Sequence, residues 1–289
     1  MEKCWQFLAH LDRRWLFGLT FFVVGLPLLT GIVLPQKISP MTRNVFDAID
    51  DLPDGSRVLM ALDFDPSAEG ELEPMANAFV RHCAEKGHKI YFMTVWPQGV
   101  GMIQRQMALL KQEYPKKYEY GKNFVNLGYG PGMDGAIQSV VNGFSVLYDA
   151  DQRGTPLSKI PMMQGVESAK DIPLIINVSA GDPGLKQWIQ YAATPYKSIN
   201  IVGGTTGVQA STLYPYIPGQ MIGMLAGLKP AAEYEVLLLK HYPELAERPD
   251  ANLGGMRMTS QEAAHFTLIL IIILGNIVMW KTQQWGKRA

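Results

Sequence analysis

"SRVLMALDFDPSAEGELEPMANAFVRHCAEKG", residues 56–87, reads as one strand followed by one helix. The run 56–64 is apolar with little alternation, the pattern of a strand covered on both faces. From 71 to 87 the period changes. Met75, Ala78, Phe79 and Cys83 fall at helical spacing, and Gly87 suits the residue that closes a helix. The same unit recurs downstream. "HKIYFMTVW" (88–96) precedes "VGMIQRQMALLKQEY" (100–114), and "NFVNLGY" (123–129) precedes "AIQSVVNGF" (136–144). "IPLIINVSA" (172–180) precedes "LKQWIQYAA" (185–193), and "SINIVGG" (198–204) precedes "VQASTLYPY". Alternating strands and helices predict an α/β domain over 36–258: a Rossmann-like three-layer sandwich on a mostly parallel sheet. The stretch 149–171 is loop-rich and is expected to cross a strand end.

Two charge-free apolar runs flank this domain. Residues 15–34, "WLFGLTFFVVGLPLLTGIVL", span about 30 Å as a helix, the thickness of a bilayer's hydrocarbon core. Residues 263–280, "AAHFTLILIIILGNIVMW", form the second, and Thr259 with Glu262 has capping-box spacing before it. Trp15 and Trp280 stand at the edges, where indoles favour the interface. The first run is too long for a signal-peptide core and lacks an A-x-A-like site after it, so an uncleaved anchor is expected. Lys3, Arg13 and Arg14 precede it; Lys281, Lys287 and Arg288 follow the second run. Lys37 and Arg43, then Arg248 and Arg257, occupy the opposite flanks. This bias predicts a two-pass protein in the lipid bilayer, with 1–14 and 281–289 cytoplasmic and the domain extracytoplasmic.

The charges, 26 basic and 26 acidic, balance, and no dense basic cluster argues for nucleic acid. Cys4 and Cys83 are far apart, and the five histidines form no metal-ligand spacing, so each is read as a surface or cap residue. No Gly-x-Ser-x-Gly elbow occurs.

In a parallel α/β sheet, ligands bind at the C-terminal ends of the strands. The loops expected there are "DFDPSAEG", "TVWPQGVG", "GYGPGMDG", "SAGDPG" and "GGTTG". Gly181, Gly184, Gly203, Gly204, Thr205 and Thr206 are candidates for an anionic small ligand, because backbone N–H groups at helix starts favour anions. The plain alternative is that short βα turns need glycine for their own geometry.

"DFDPS" resembles the nucleophile motif of the haloacid-dehalogenase-like phosphatases. That resemblance implies Asp63 as nucleophile, Asp65 as acid and base, Thr94 at the end of the next strand, and Asp63 with Asp182 as ligands of a Mg²⁺ cofactor. The chain departs from the family at Pro66, which leaves little room for a flap, and offers no clear lysine clamp or second acid beside Asp182. The reading favoured by the sequence has no cofactor and no catalytic residue: a scaffolding subunit of a homo- or hetero-oligomeric membrane complex. A magnesium-dependent phosphohydrolase and an anion-binding module are the alternatives. Gly219, Gly223 and Gly227 recur every four residues among Met and Leu. As a helix they would form a smooth stripe, either packed closely on the domain's own sheet or forming an oligomer interface for which they are the candidates.

Overall fold

The computed structural model describes residues 2–286, with the side chains of 2–4 and 283–286 also left undescribed. The side chains of Lys3 and Cys4, and all of Lys287 and Arg288, therefore lie outside the described residues. The chain divides into two compact units, Met1–Pro35 with Gly255–Ala289, and Gln36–Gly254.

The first unit holds α1 (Glu2–Ala9) and α2 (Arg13–Thr30). Asp12 caps α2 by accepting from Arg14 N at 2.9 Å. Gly31, at φ 70°, closes it and donates to Pro27 O. At 18 residues α2 is about 27 Å long, starting before and ending short of the apolar run 15–34.

The second unit opens with α3 (Pro40–Asp50), which Ser39 caps and Pro40 starts. Then come β1 (Arg57–Asp63), α4 (Glu69–Glu85), β2 (Lys89–Thr94), α5 (Gly99–Glu113) and β3 (Phe124–Tyr129). The helices α6 (Asp134–Asn142) and α7 (Phe144–Leu147) follow. Short 3₁₀ turns carry the stretch 149–171 to β4 (Leu174–Ser179). Next are α8 (Leu185–Trp188), extended by a π-helical turn to Ala193, β5 (Asn200–Thr205) and α9 (Ala210–Leu213). The unit ends with β6 (Gly223–Ala226) and α10 (Leu228–His241). Finally α11 (Leu253–Gly286) runs for 34 residues, about 51 Å.

All six strands pair in parallel in the order β3-β2-β1-β4-β5-β6. Helices cover both faces. Val58, Met60 and Leu62 of β1 point to a core with α3, α4, α5 and α10, while Leu59 and Ala61 point to one with α6, α8 and α9. The strand order reverses between β1 and β4, which makes that junction the switch point where a crevice is expected.

Three expectations need correction. Residues 219–227 are not a helix: Gly219 sits in a turn, Gly223 opens β6, and Gly227, at φ 79°, precedes α10. A four-residue glycine period also suits turn, short strand, turn. Gly223 earns its place through contact, since a Cβ there would stand 3.0 Å from Val45 Cγ2 of α3. Second, Thr259 does not start a helix. It lies a turn and a half inside α11, where its hydroxyl donates to Gly255 O and accepts from Leu34 N. The helix starts earlier, where Gly254 N donates to Glu235 Oε1 of α10. Third, His82 and His88 are buried, not surface residues. The His82 ring stacks on Phe46 at 4.4 Å and lies within hydrogen-bond distance of Tyr234 Oη (2.6 Å) and Asp50 Oδ1 (3.2 Å). This row braces α3, α4 and α10. Burial pushes His82 down, and the His82 hydrogen bond holds the Asp50 carboxyl well below the usual carboxylate range.

Candidate functional site

Residue 63 follows five buried apolar residues on β1 and takes the parity of Leu59 and Ala61. Its side chain is thereby sent into the core beneath α8, at the switch point. Asp63 has no solvent exposure. Val95 N donates to its Oδ1 at 2.8 Å, and Thr94 Oγ1 stands 3.3 Å from the same oxygen. Asn177 Nδ2 and Trp188 Nε1 donate to Oδ2 at 2.6 and 3.0 Å. Burial raises Asp63 to about 6 against the pull of these donors. Three N–H groups thus engage the two carboxylate oxygens inside the core. The geometry is that of a carboxylate held in place from both oxygens.

Trp96 closes the crevice above. Its Nε1 donates to Pro183 O at 2.7 Å, joining the loop after β2 to the loop after β4. Its ring fills the space over Gly181, where a Cβ would stand 3.6 Å away. Thr94 Oγ1 accepts from Trp96 N at 3.0 Å and lies 3.1 Å from Trp96 O, so it shapes this turn. At the neighbouring β4–β5 edge a cavity of about 10 Å³ remains, lined in part by Ser179, Asp182, Thr205 and Gln209. That is room for about one water.

Asp65 lies outside this cluster. Its Oδ1 accepts from Ser67 Oγ and N at 2.6 and 2.9 Å, capping the 3₁₀ turn before α4, and the Ser67 hydroxyl holds it below the usual carboxylate range. Asp182 is exposed. Among the described residues no group of three or more His, Cys, Asp or Glu side chains could hold a metal ion.

The glycines serve packing. A Cβ on Gly203 would strike Leu185 and Asn177 O, and one on Gly204 would strike Met75 Sδ of α4. Gly184 lets α8 start against Ser179, whose Oγ accepts from Leu185 N at 3.0 Å. Thr205 is buried, and so is Thr206, whose Oγ1 has no hydrogen-bond partner among the described residues. Beside it, Glu71 Oε2 accepts from Gly207 N at 2.9 Å.

Asn177, Trp188 and Trp96 escaped the sequence reading. Asn177 carried a signal: a polar residue near the end of the apolar run "LIINVS" must meet a partner inside. Trp188 carried none, since an indole among apolar residues reads as core. Compared with known proteins, the chain matches no family model and no curated protein.

Proposed function

We propose that this chain is a non-catalytic, membrane-anchored scaffolding subunit of an oligomeric membrane complex. The observation that carries the reading is the filled switch point. The carboxylate that would do chemistry there is engaged by donors on both oxygens, and an indole occupies the crevice in which a substrate would lie. A fold whose usual ligand site is spent on its own packing is free to act through its outer surfaces.

The membrane part of the proposal draws on α2 and α11, whose mean hydropathies are 1.2 and 2.1 over the apolar windows. Their exposed faces carry Phe17, Phe21, Phe22, Phe266, Ile269 and Ile272. We place spans at 15–34 and 263–280 and, from the flanking Lys and Arg, both termini in the cytoplasm.

Purification in mild detergent tests the function. A particle several times 32.1 kDa after correction for detergent, with no Mg²⁺-dependent hydrolysis of a generic phosphomonoester, is expected. Hydrolysis that disappears in Asp63→Asn would replace this reading with the phosphohydrolase. A second reading, a small anion at the strand ends, draws on the unpartnered Thr206 hydroxyl. A rise in melting temperature with millimolar inorganic phosphate, lost in Thr206→Val, would favour it.

A further inference from the structure

The outer face of α11 carries polar side chains where a lipid-facing helix should have none. His265 and Asn276 are both exposed, in a helix otherwise covered there by Ile, Leu and Phe. They fall at 265, 269, 272 and 276, steps of four, three and four, which is the heptad spacing of a two-helix seam. Ile269 and Ile272, between them, are 56% and 61% exposed. The neighbouring face of α11 is used differently: Ile271, Leu274 and Val278 line a cavity of about 360 Å³ with Leu8, Leu11 and Leu16.

Asn276 is the decisive residue. Its Nδ2 donates to Ile272 O at 2.8 Å, which turns the amide one turn deeper, away from the Trp280 end. That bond leaves the second N–H and Oδ1 without a partner among the described residues. Hydrocarbon supplies none, so the amide is stabilised by a polar group brought up by another helix.

We propose that α11 pairs in parallel with α11 of a second copy along 265, 269, 272 and 276, with the Asn276 amides bonded to each other. A second copy is favoured on two grounds. An amide is both donor and acceptor, so two of them satisfy one another. A copy inserted with the same topology also presents its Asn276 at the same depth, whereas an unrelated helix would need a polar group at that level. One polar residue at a core position of such a seam fixes register as well.

The inference rests on the membrane reading of the proposed function, and the test separates the two. The full chain carrying Cys4→Ser is expressed in membranes, and carbonate washing is applied first. Release of the chain by carbonate would overturn the membrane reading and this inference with it. With the chain retained, copper-phenanthroline oxidation of Ile272→Cys is expected to give a dimer, and Leu270→Cys, on another face, to give none. In detergent, sedimentation equilibrium should show self-association of the chain. Asn276→Leu should raise the dissociation constant by about tenfold, and Asn276→Gln should restore most of it. A membrane-bound but monomeric chain would overturn the pairing while leaving the anchors standing. So would equal cross-linking at 270 and 272, cross-linking to a different protein, or Asn276→Leu behaving as wild type.

Discussion

The buried carboxylate of Asp63 makes the stability of this domain depend on pH in an unusual direction. Burial pushes the Asp63 carboxyl up to about 6 in the folded chain, above the ordinary carboxylate value of 3.8 that it has when unfolded. The folded state therefore holds the proton more tightly. The stability that this residue contributes is fully present below about pH 4 and is lost as pH rises through about 6. Two pKa units correspond to about 3 kcal/mol. His82 and Asp50 act in the other direction, since both have depressed values and favour the fold as pH rises. The Asp63 contribution is thus read as a difference. The gap in unfolding free energy between wild type and Asp63→Asn, measured by urea unfolding in detergent from pH 4 to 7, should narrow as pH rises. A gap that stays constant would mean that Asp63 remains ionised throughout. Asp63→Ala removes the acceptor from Val95 N, Asn177 and Trp188 together. Stranded buried donors cost about 1–3 kcal/mol each and do not add fully. A loss of at least about 3 kcal/mol at pH 5 is expected, and a loss under about 1 kcal/mol would show that water replaces the carboxylate.

Among the elements, the strands were legible and the tightest turns were not. Five strands were read within two residues of their ends, because a parallel strand buried on both faces is a short, mostly apolar run bounded by turn residues. β6 was missed for the same physical reason in reverse. It is four residues long and bracketed by Gly219 and Gly227, so the spacing of its glycines outweighed its own composition. α3 left a trace in Ser39-Pro40, a cap followed by a helix-starting proline, but its apolar stripe is short. The candidate site was legible by place and not by content. Asp63 stood out at a strand end, yet its confinement depends on Asn177 and Trp188, both more than a hundred residues away. Glycine choice at the element scale leads to a further expectation. Gly203→Ala sets a methyl against Leu185 and the backbone of β4, a rigid neighbour, and should cost about 1–3 kcal/mol by overpacking. Gly219→Ala, with no atom within 4 Å, should cost less than about 0.5 kcal/mol. Thermal unfolding of the two variants side by side measures the difference. Equal losses would mean that β5 and α8 are not packed this closely.

At the scale of the whole molecule, apolar exposure is divided sharply between the two units. Within 36–254 the exposed large hydrophobic residues are Met133, Val146, Val208 and Tyr214, set singly on separate loops or helices. Among the described residues, all the others lie between Phe7 and Leu34 or between Phe266 and Trp280. Isolated apolar residues are ordinary on a soluble surface, whereas continuous apolar helices call for lipid or protein around them. The parallel sheet is covered on both faces by residues of 36–254, which make up both core clusters. These facts predict how truncation behaves. A chain lacking 1–35 retains α11, and a chain lacking 260–289 retains α2. Either helix is long enough to hold the protein in a bilayer, so both truncations should stay in the membrane pellet after a carbonate wash. Residues 36–254 alone should appear in the soluble fraction with the circular dichroism of a folded α/β protein and a single cooperative melt. A chain of 36–254 still contains both Gly254 and Glu235, the α10 residue whose Oε1 accepts from Gly254 N. A doubly truncated chain that still sediments with membranes would mean that the domain carries its own lipid-binding surface. One that is soluble but unfolded would mean that the sheet depends on the apolar helices for stability.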